Sequence, residues 1–471
     1  MVVEKTVDVA IIGAGTSGLN ALGQVRKSGK SFVLINGGDL GTTCARVGCM
    51  PSKAFIQIAE DYHRLSVFDR YGAEGHRNLS LNPEEAMEHV RDLRDIFVDR
   101  VMGSSTDEMG DELIEGYARF IAPDVLKVGD ALIRARKIVI ATGSRPHIPE
   151  PWRRFGDRIL TTDDFFEQES FPDRLAVIGM GAIGLELGQA LRRYGHQVTG
   201  IDQLGSIAGL SDPVVNQIAI EVIGKEFPLW LGAAATIDEQ GDKLLVSSDE
   251  QTVLVDKVLV SVGRIPNLDK LGLEGLGIPL KQQGLPAFNP TTMQIADLPL
   301  FIAGDTTGDR PILHEAGNEG KIAGYNASHD PVLAFKRKPH FAITFCDPNI
   351  VTVGMSWLEL ADRDDIAVGE MRFGPVGRAL IMAKNKGVLR VYAEKSSGKL
   401  LGAAMIAPRG ENLGHLLAWS IQQGLTAFDL LKMPFYHPVI EEALQAALYN
   451  LLPQLESHPE PLRELDLLHG P

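Results

Sequence analysis

The stretch 7–36, VDVAIIGAGTSGLNALGQVRKSGKSFVLIN, decides the fold. The apolar run VDVAII ends in Gly13-x-Gly15-x-x-Gly18, and a helix-like segment then leads to a second apolar run, FVLIN. Each glycine meets a separate demand. Gly13 permits a tight turn, Gly15 lets backbone approach a pyrophosphate, and Gly18 lets helix and strand pack closely. The spacing predicts strand, turn, helix and strand, with phosphates at the positive end of the helix. The same grammar returns at 173–202, DRLAVIGMGAIGLELGQALRRYGHQVTGID, with Gly179, Gly181 and Gly184. Two copies imply two dinucleotides, which points to a flavin enzyme that also uses a nicotinamide.

After such a turn, an acid at the end of the second strand accepts hydrogen bonds from the adenosine ribose. In the second copy this is Asp202, whose carboxylate would repel a 2′-phosphate. The residues that follow, Gln203 to Ser206, hold no arginine to greet one. NAD is therefore expected over NADP. The first copy has Asn36 at this place, which bonds a hydroxyl without charge-assisted strength. Asp39, three residues on, is an alternative acid.

The chain has 471 residues, 44% apolar and 23% charged, enough for more than one domain with large cores. A net charge of −15 argues against nucleic acid or anionic membrane as the main partner. No apolar run approaches the roughly 20 residues of a membrane span. The N-terminus runs straight into a strand without a basic and apolar leader. Three cysteines fit a reducing compartment, so the cytoplasm is expected. From about Pro339 the texture changes: HFAITFCDPNIVTVG, GVLRVYAEKSSGKLLGAAMIA and ENLGHLLAWSIQQGL predict an antiparallel sheet flanked by helices. The proline-interrupted tail 455–471 reads as partly loose or folded against a partner. The fold class is thus α/β, with two Rossmann-like dinucleotide-binding domains and a C-terminal α+β domain.

Two of the three cysteines, Cys44 and Cys49, stand in GTTCARVGCMPSK, 41–53. A zinc site needs about four ligands and a second cluster, and Cys346 stands alone. A staple within one loop would add little to a large domain. A reversible disulphide has a geometric condition. On an ideal helix, Cα atoms five residues apart lie about 8–9 Å from each other, beyond the roughly 7 Å that a disulphide tolerates. The turn between the thiols must therefore be distorted, and Gly48 supplies the freedom. Pro51 suits the start of a following helix, whose N-terminus would favour a thiolate. A thiol pair also needs a proton acceptor; FYHPVIEE offers His437, with Glu442 to orient its imidazole.

Taken together, these stretches resemble the pyridine nucleotide-disulphide oxidoreductases, whose motifs GTTCARVGCMPSK, ATGSRP, SVGRIPN, FIAGDTTGD and HPVIEE match in family order. The resemblance implies an FAD-binding domain over 1–150, an NAD-binding domain over 151–270, a central domain over 271–338 that completes the FAD site, and an interface domain over 339–471 in a homodimer. It also implies roles for single residues. Cys49 is the thiol nearest the flavin and Cys44 the thiol that exchanges with substrate. Lys53 stands near the flavin with Glu186 as its carboxylate partner. Thr142, Gly143 and Asp305 contact FAD, and Gly263 contacts NAD. His437 and Glu442 form the acid–base dyad, contributed by the other subunit, and no metal is implied. GCMPSK, ILHEAGNEG and Asp202 resemble the dihydrolipoamide dehydrogenase branch most, which makes a lipoyl-bearing protein the expected substrate. Three positions depart from the family pattern: Asn36 for glutamate, Thr42 for glycine and Val439 for threonine. The alternatives are an NADH-dependent disulphide, quinone or metal reductase with the same centre, and a non-catalytic redox sensor.

Overall fold

The computed structural model describes residues 4–456, together with 464, 465 and 468. The tail from Leu455 lies largely outside these residues.

The first glycine turn joins a strand, Glu4–Ile12, to a helix, Thr16–Ser28, and the chain returns along Phe32–Asn36. Glu4–Ile12 pairs in parallel with Phe32–Asn36 on one side and Ala131–Ile140 on the other. Its last four residues, VAII, are buried to near zero exposure, as a strand covered on both faces must be. The sheet then recruits a strand from far along the chain. Leu300–Ile302 pairs in parallel with the second half of Ala131–Ile140, whose first half carries an antiparallel neighbour, Val125–Val128.

Register places the site. Ile12 lies opposite both Ile35 and Ile140, and Ile140 lies opposite Ile302. The residues that follow each of these, Gly13, Asn36, Ala141–Gly143 and Ala303–Asp305, therefore emerge along one edge of the sheet. Carboxyl ends of parallel strands form the ligand crevice of such a sheet.

A second, wholly parallel sheet of five strands repeats the arrangement with Ile159–Leu160, Arg174–Ile178, Gln197–Asp202, Leu229–Leu231 and Lys257–Val260. Ile178 lies opposite Ile201 and Val260, so Gly179, Asp202 and Ser261–Gly263 share its edge. Beyond Pro339 the expected antiparallel sheet is present, with five strands flanked by the helices Gly410–Gln423 and Glu442–Leu451. Among the described residues no helix is long and apolar enough to cross a membrane.

The helix Cys49–His63 lies between the first two units. Phe55, fully buried, stacks on Tyr194 at 4.3 Å and meets Phe165 edge-on at 5.3 Å. Aromatic pairs of this kind contribute about 0.5–1.5 kcal/mol beyond burial. They fix the helix against Ala182–Arg193, the helix that follows the second glycine turn.

Candidate active site

The two thiols sit on two helices rather than one. Thr43–Val47 stops at Gly48, which leaves helical geometry at φ −126° and ψ −118°, and the next helix starts at Cys49 itself. A Cβ on residue 48 would come within 2.9 Å of the Thr43 carbonyl oxygen and 3.2 Å of the Cys44 Cα. The break thus folds the chain back onto Cys44, which the five-residue spacing demanded. Cys44 is half-buried and Cys49 exposed, and the two side chains hydrogen-bond each other. That bond lowers the Cys49 thiol to about 7, with Lys53 assisting and burial opposing. The same bond, together with burial, drives the Cys44 thiol far up. Of the pair, Cys49 is the thiol that ionises more readily.

Lys53 lies one turn into the same helix. Its Nζ donates to Glu186 Oε2 at 2.7 Å, and Glu186, 6% exposed, accepts at Oε1 from the Phe345 backbone N–H, also at 2.7 Å. Phe345 also turns its ring under the ammonium at 4.8 Å. The carboxylate that resemblance paired with Lys53 is beside it.

The two glycine turns divide their work identically. A Cβ at Gly13, where φ is +109°, would stand 2.2 Å from the Ala141 carbonyl oxygen, and one at Gly18 would stand 1.8 Å from the Gly13 carbonyl oxygen. At Gly179 and Gly184 the corresponding distances are 2.4 Å and 1.9 Å. Gly15 and Gly181 differ: a Cβ there meets no protein atom within 4 Å. The protein leaves these two places open, and each begins a helix without a side-chain cap. An open backbone beside uncapped N–H groups is a fit for a pyrophosphate. Around the first turn lies a cavity of about 640 Å³, lined by Gly13, Gly15, Asn36, Thr142 and Gly143 among others. FAD would be held there, and a nicotinamide dinucleotide at the second turn.

The strand-end residues hold these loops. Asn36 Oδ1 accepts from the Ala14 N–H at 3.1 Å, and Asp202 Oδ2 accepts from the equivalent Met180 N–H at 2.6 Å. Asp202 Oδ1 accepts in turn from the Leu204 N–H at 2.8 Å. Asp39, which is exposed, pairs with Arg46 in the helix Thr43–Val47, and both residues line the first cavity alongside Asn36. Asp305 accepts from Ser144 Oγ at 2.8 Å, and Thr306 Oγ1 accepts from the Gly143 N–H at 2.6 Å. The two loops at the carboxyl edge are therefore tied together. Gly263 occupies the edge of the second sheet at φ +110°.

His437 Nδ1 meets Glu442 Oε1 at 2.8 Å, while Glu442 Oε2 accepts from the Val439 N–H at 3.0 Å. The histidine and the Val439 amide hold the Glu442 carboxyl below its usual range. The His437 side chain is 80% exposed, and among the described residues the dyad makes no hydrogen bond to either thiol of its own chain.

Sequence reasoning missed Phe345, Thr306, Ser144 and Tyr117. Tyr117 lines the first cavity and lies against Gly37, where a Cβ would be 2.6 Å from its ring. Thr306 was within reach, next to Asp305 in GDTTGD. The Phe345 backbone N–H that holds Glu186 carries no signal in the sequence.

The family model for pyridine nucleotide-disulphide oxidoreductases matches residues 7–320, and that for their dimerisation domain matches 341–448. The dihydrolipoyl dehydrogenase of Haloferax volcanii is 31% identical over 95% of this chain and 96% of its own length. The mercuric reductase of Staphylococcus aureus is 28% identical over 90% of this chain and 78% of its own. Among solved structures, the HOCl-induced flavoprotein disulfide reductase RclA of Escherichia coli aligns with a TM-score of 0.83 at 21% identity, over 94% of this chain and 99% of that one. With its paired thiols, two glycine turns and C-terminal dimerisation unit, the chain belongs to the pyridine nucleotide-disulphide oxidoreductases, enzymes that use FAD and a nicotinamide dinucleotide.

Proposed function

We propose that this enzyme oxidises the dithiol of a protein-bound lipoyl group and reduces NAD, acting in the cytoplasm as a homodimer. The observation that carries the reading is the Cys44–Cys49 pair, bent into contact at Gly48 with the thiolate on the Cys49 side. In thiol–disulphide exchange the better leaving group is the thiol of lower pKa. A substrate thiolate therefore attacks Cys44 Sγ, the Cys44–Cys49 bond breaks, and Cys49 departs as thiolate beside Lys53. The second substrate thiol then attacks the mixed disulphide, releasing Cys44 as a thiol and the product as a cyclic disulphide. His437 takes the first substrate proton, and Glu442 holds the imidazole and stabilises its cation. Bound FAD supplies the two-electron carrier between the thiol pair and the nicotinamide. The sum is dithiol and NAD+ giving disulphide, NADH and a proton.

Asp202 supports NAD over NADP: its carboxylate is fixed by two backbone N–H groups where the ribose of the second dinucleotide would lie, and it would repel a 2′-phosphate. The exposed dyad supports a homodimer, since His437 would serve a thiol pair outside its own chain.

The test is turnover of dihydrolipoamide with NAD+ by the holoenzyme and by Cys44→Ser. The variant is expected to lose turnover. Full activity in C44S, or wild-type preference for glutathione disulphide, a quinone or a metal ion with NADH, overturns the reading.

A further inference from the structure

A second cavity, of about 620 Å³, opens on the side of the thiol pair where Cys44 lies. Its wall is mostly apolar, with Leu22, Met50, Phe97, Val101 and Leu313 from four separate helices. Two cations stand in that wall, Arg26 near the end of the helix Thr16–Ser28 and Arg100 near the end of Pro83–Gly103. Both residues are exposed. Each guanidinium lies beside an aromatic ring, Arg26 at 5.7 Å from Phe32 and Arg100 at 6.0 Å from Phe97. Among the described residues neither has a carboxylate within ion-pair distance. Elsewhere in this chain of net charge −15, arginines are mostly paired, as Arg193 is with Glu226 and Arg337 with Glu315 and Glu319. Two unpaired guanidinium groups in one cavity wall, beside the thiol that exchanges with substrate, are free to meet an incoming anion.

We propose that Arg26 and Arg100 select substrates that carry an anionic group next to an apolar, thiol-bearing arm. The inference rests on the reading of Cys44 as the exchange thiol and deepens it. Charge at a pocket mouth raises the encounter rate and local concentration of oppositely charged ligands, and salt weakens the effect. An apolar arm crossing this wall would reach Cys44 while its carboxylate, or an acidic surface around the arm, stayed at the arginines.

Two comparisons test this with Arg26→Gln/Arg100→Gln in the holoenzyme. The first is the ratio of kcat/KM for dihydrolipoate over dihydrolipoamide, which share the dithiol and differ in a carboxylate. Two exposed charges predict a fall in that ratio of about three- to tenfold, with the gap closing at high salt. The second needs no turnover: alkylation of Cys44 by iodoacetate and by iodoacetamide in a Cys49→Ala background, with and without the two arginines, where the partner thiol that chiefly holds Cys44 protonated is gone, read by peptide mass. The iodoacetate-to-iodoacetamide ratio is expected to fall by a similar factor. Should both ratios match the wild type, the arginines do not read charge and the inference is overturned. A changed alkylation ratio without turnover of either lipoyl compound sustains the anion selectivity and removes the lipoyl reading instead.

Discussion

Lys53 Nζ lies 2.7 Å from Glu186 Oε2, so a salt bridge joins the thiol-bearing helix to the helix of the second glycine turn. The cation thereby stays near Cys49 while its counter-charge comes from another folding unit. Lys53→Met removes a charge that favours the thiolate, so the Cys49 titration moves upward from about 7. A shift of about one pH unit is expected. Below the raised pKa the thiol is protonated and slow, so at pH 7 alkylation of Cys49 slows in K53M and recovers as pH rises. A titration that stays in place would show that the hydrogen bond from Cys44 alone sets the value.

Thr42 sits two residues before Cys44 at φ +65° and ψ 146°, a conformation suited to glycine, while its Oγ1 accepts from the Ala45 N–H at 3.3 Å. A β-branched residue held there costs about 1–3 kcal/mol. Replacing a threonine cap by glycine costs only a few tenths. The backbone wins, and Thr42→Gly should raise stability by about 1 kcal/mol or more, read as a higher Tm. A lower Tm would mean that the cap outweighs the backbone.

Asp212 has no exposed surface and caps the helix Pro213–Ile223 through the Val214 and Val215 N–H groups. It also accepts from Arg390 and from the Tyr392 hydroxyl, both at 2.6 Å, and so fastens the second dinucleotide-binding unit to the C-terminal sheet. Removing one partner of a buried pair leaves the other charge unmatched, at about 3–5 kcal/mol. Asp212→Ala is expected to cost that much in denaturant unfolding, while Leu358→Ala, at an 80%-exposed position, changes little.

The exposed dyad makes a prediction about mixed dimers. Cys44→Ser and His437→Gln homodimers are each expected to be inactive. A hybrid of the two contains one site with both wild-type groups if the histidine is supplied across the interface. Purified hybrid should then recover about half of wild-type activity, by the symmetry of a two-fold dimer. An inactive hybrid would place the histidine in its own chain's site.

Much of this was legible in residue types and spacing. The glycine turns declared themselves because Gly13, Gly18, Gly179 and Gly184 are demanded by backbone clashes, while Gly15 and Gly181 face open space where a pyrophosphate would fit. The break at Gly48 followed from the reach of a disulphide. What stayed hidden depends on distance along the chain. Phe345 holds Glu186 through a backbone N–H 159 residues away, and a main-chain donor has no residue type to recognise. The pairing of Asp39 with Arg46, seven residues on, likewise has no signal in the spacing. The tie between Asp212 and Arg390 spans 178 residues and was equally invisible.

The strand Leu300–Ile302, seated against Ala131–Ile140, bears on how this polypeptide is made. During synthesis the amino-terminal sheet must wait, one edge bare, until residue 302 has cleared the ribosome. The second parallel sheet closes with Lys257–Val260 and has every strand some forty residues earlier. Domains fold as their segments become available, so the inserted unit is expected to become protease-resistant first on stalled nascent chains. The unit that carries the first glycine turn would be among the last to mature.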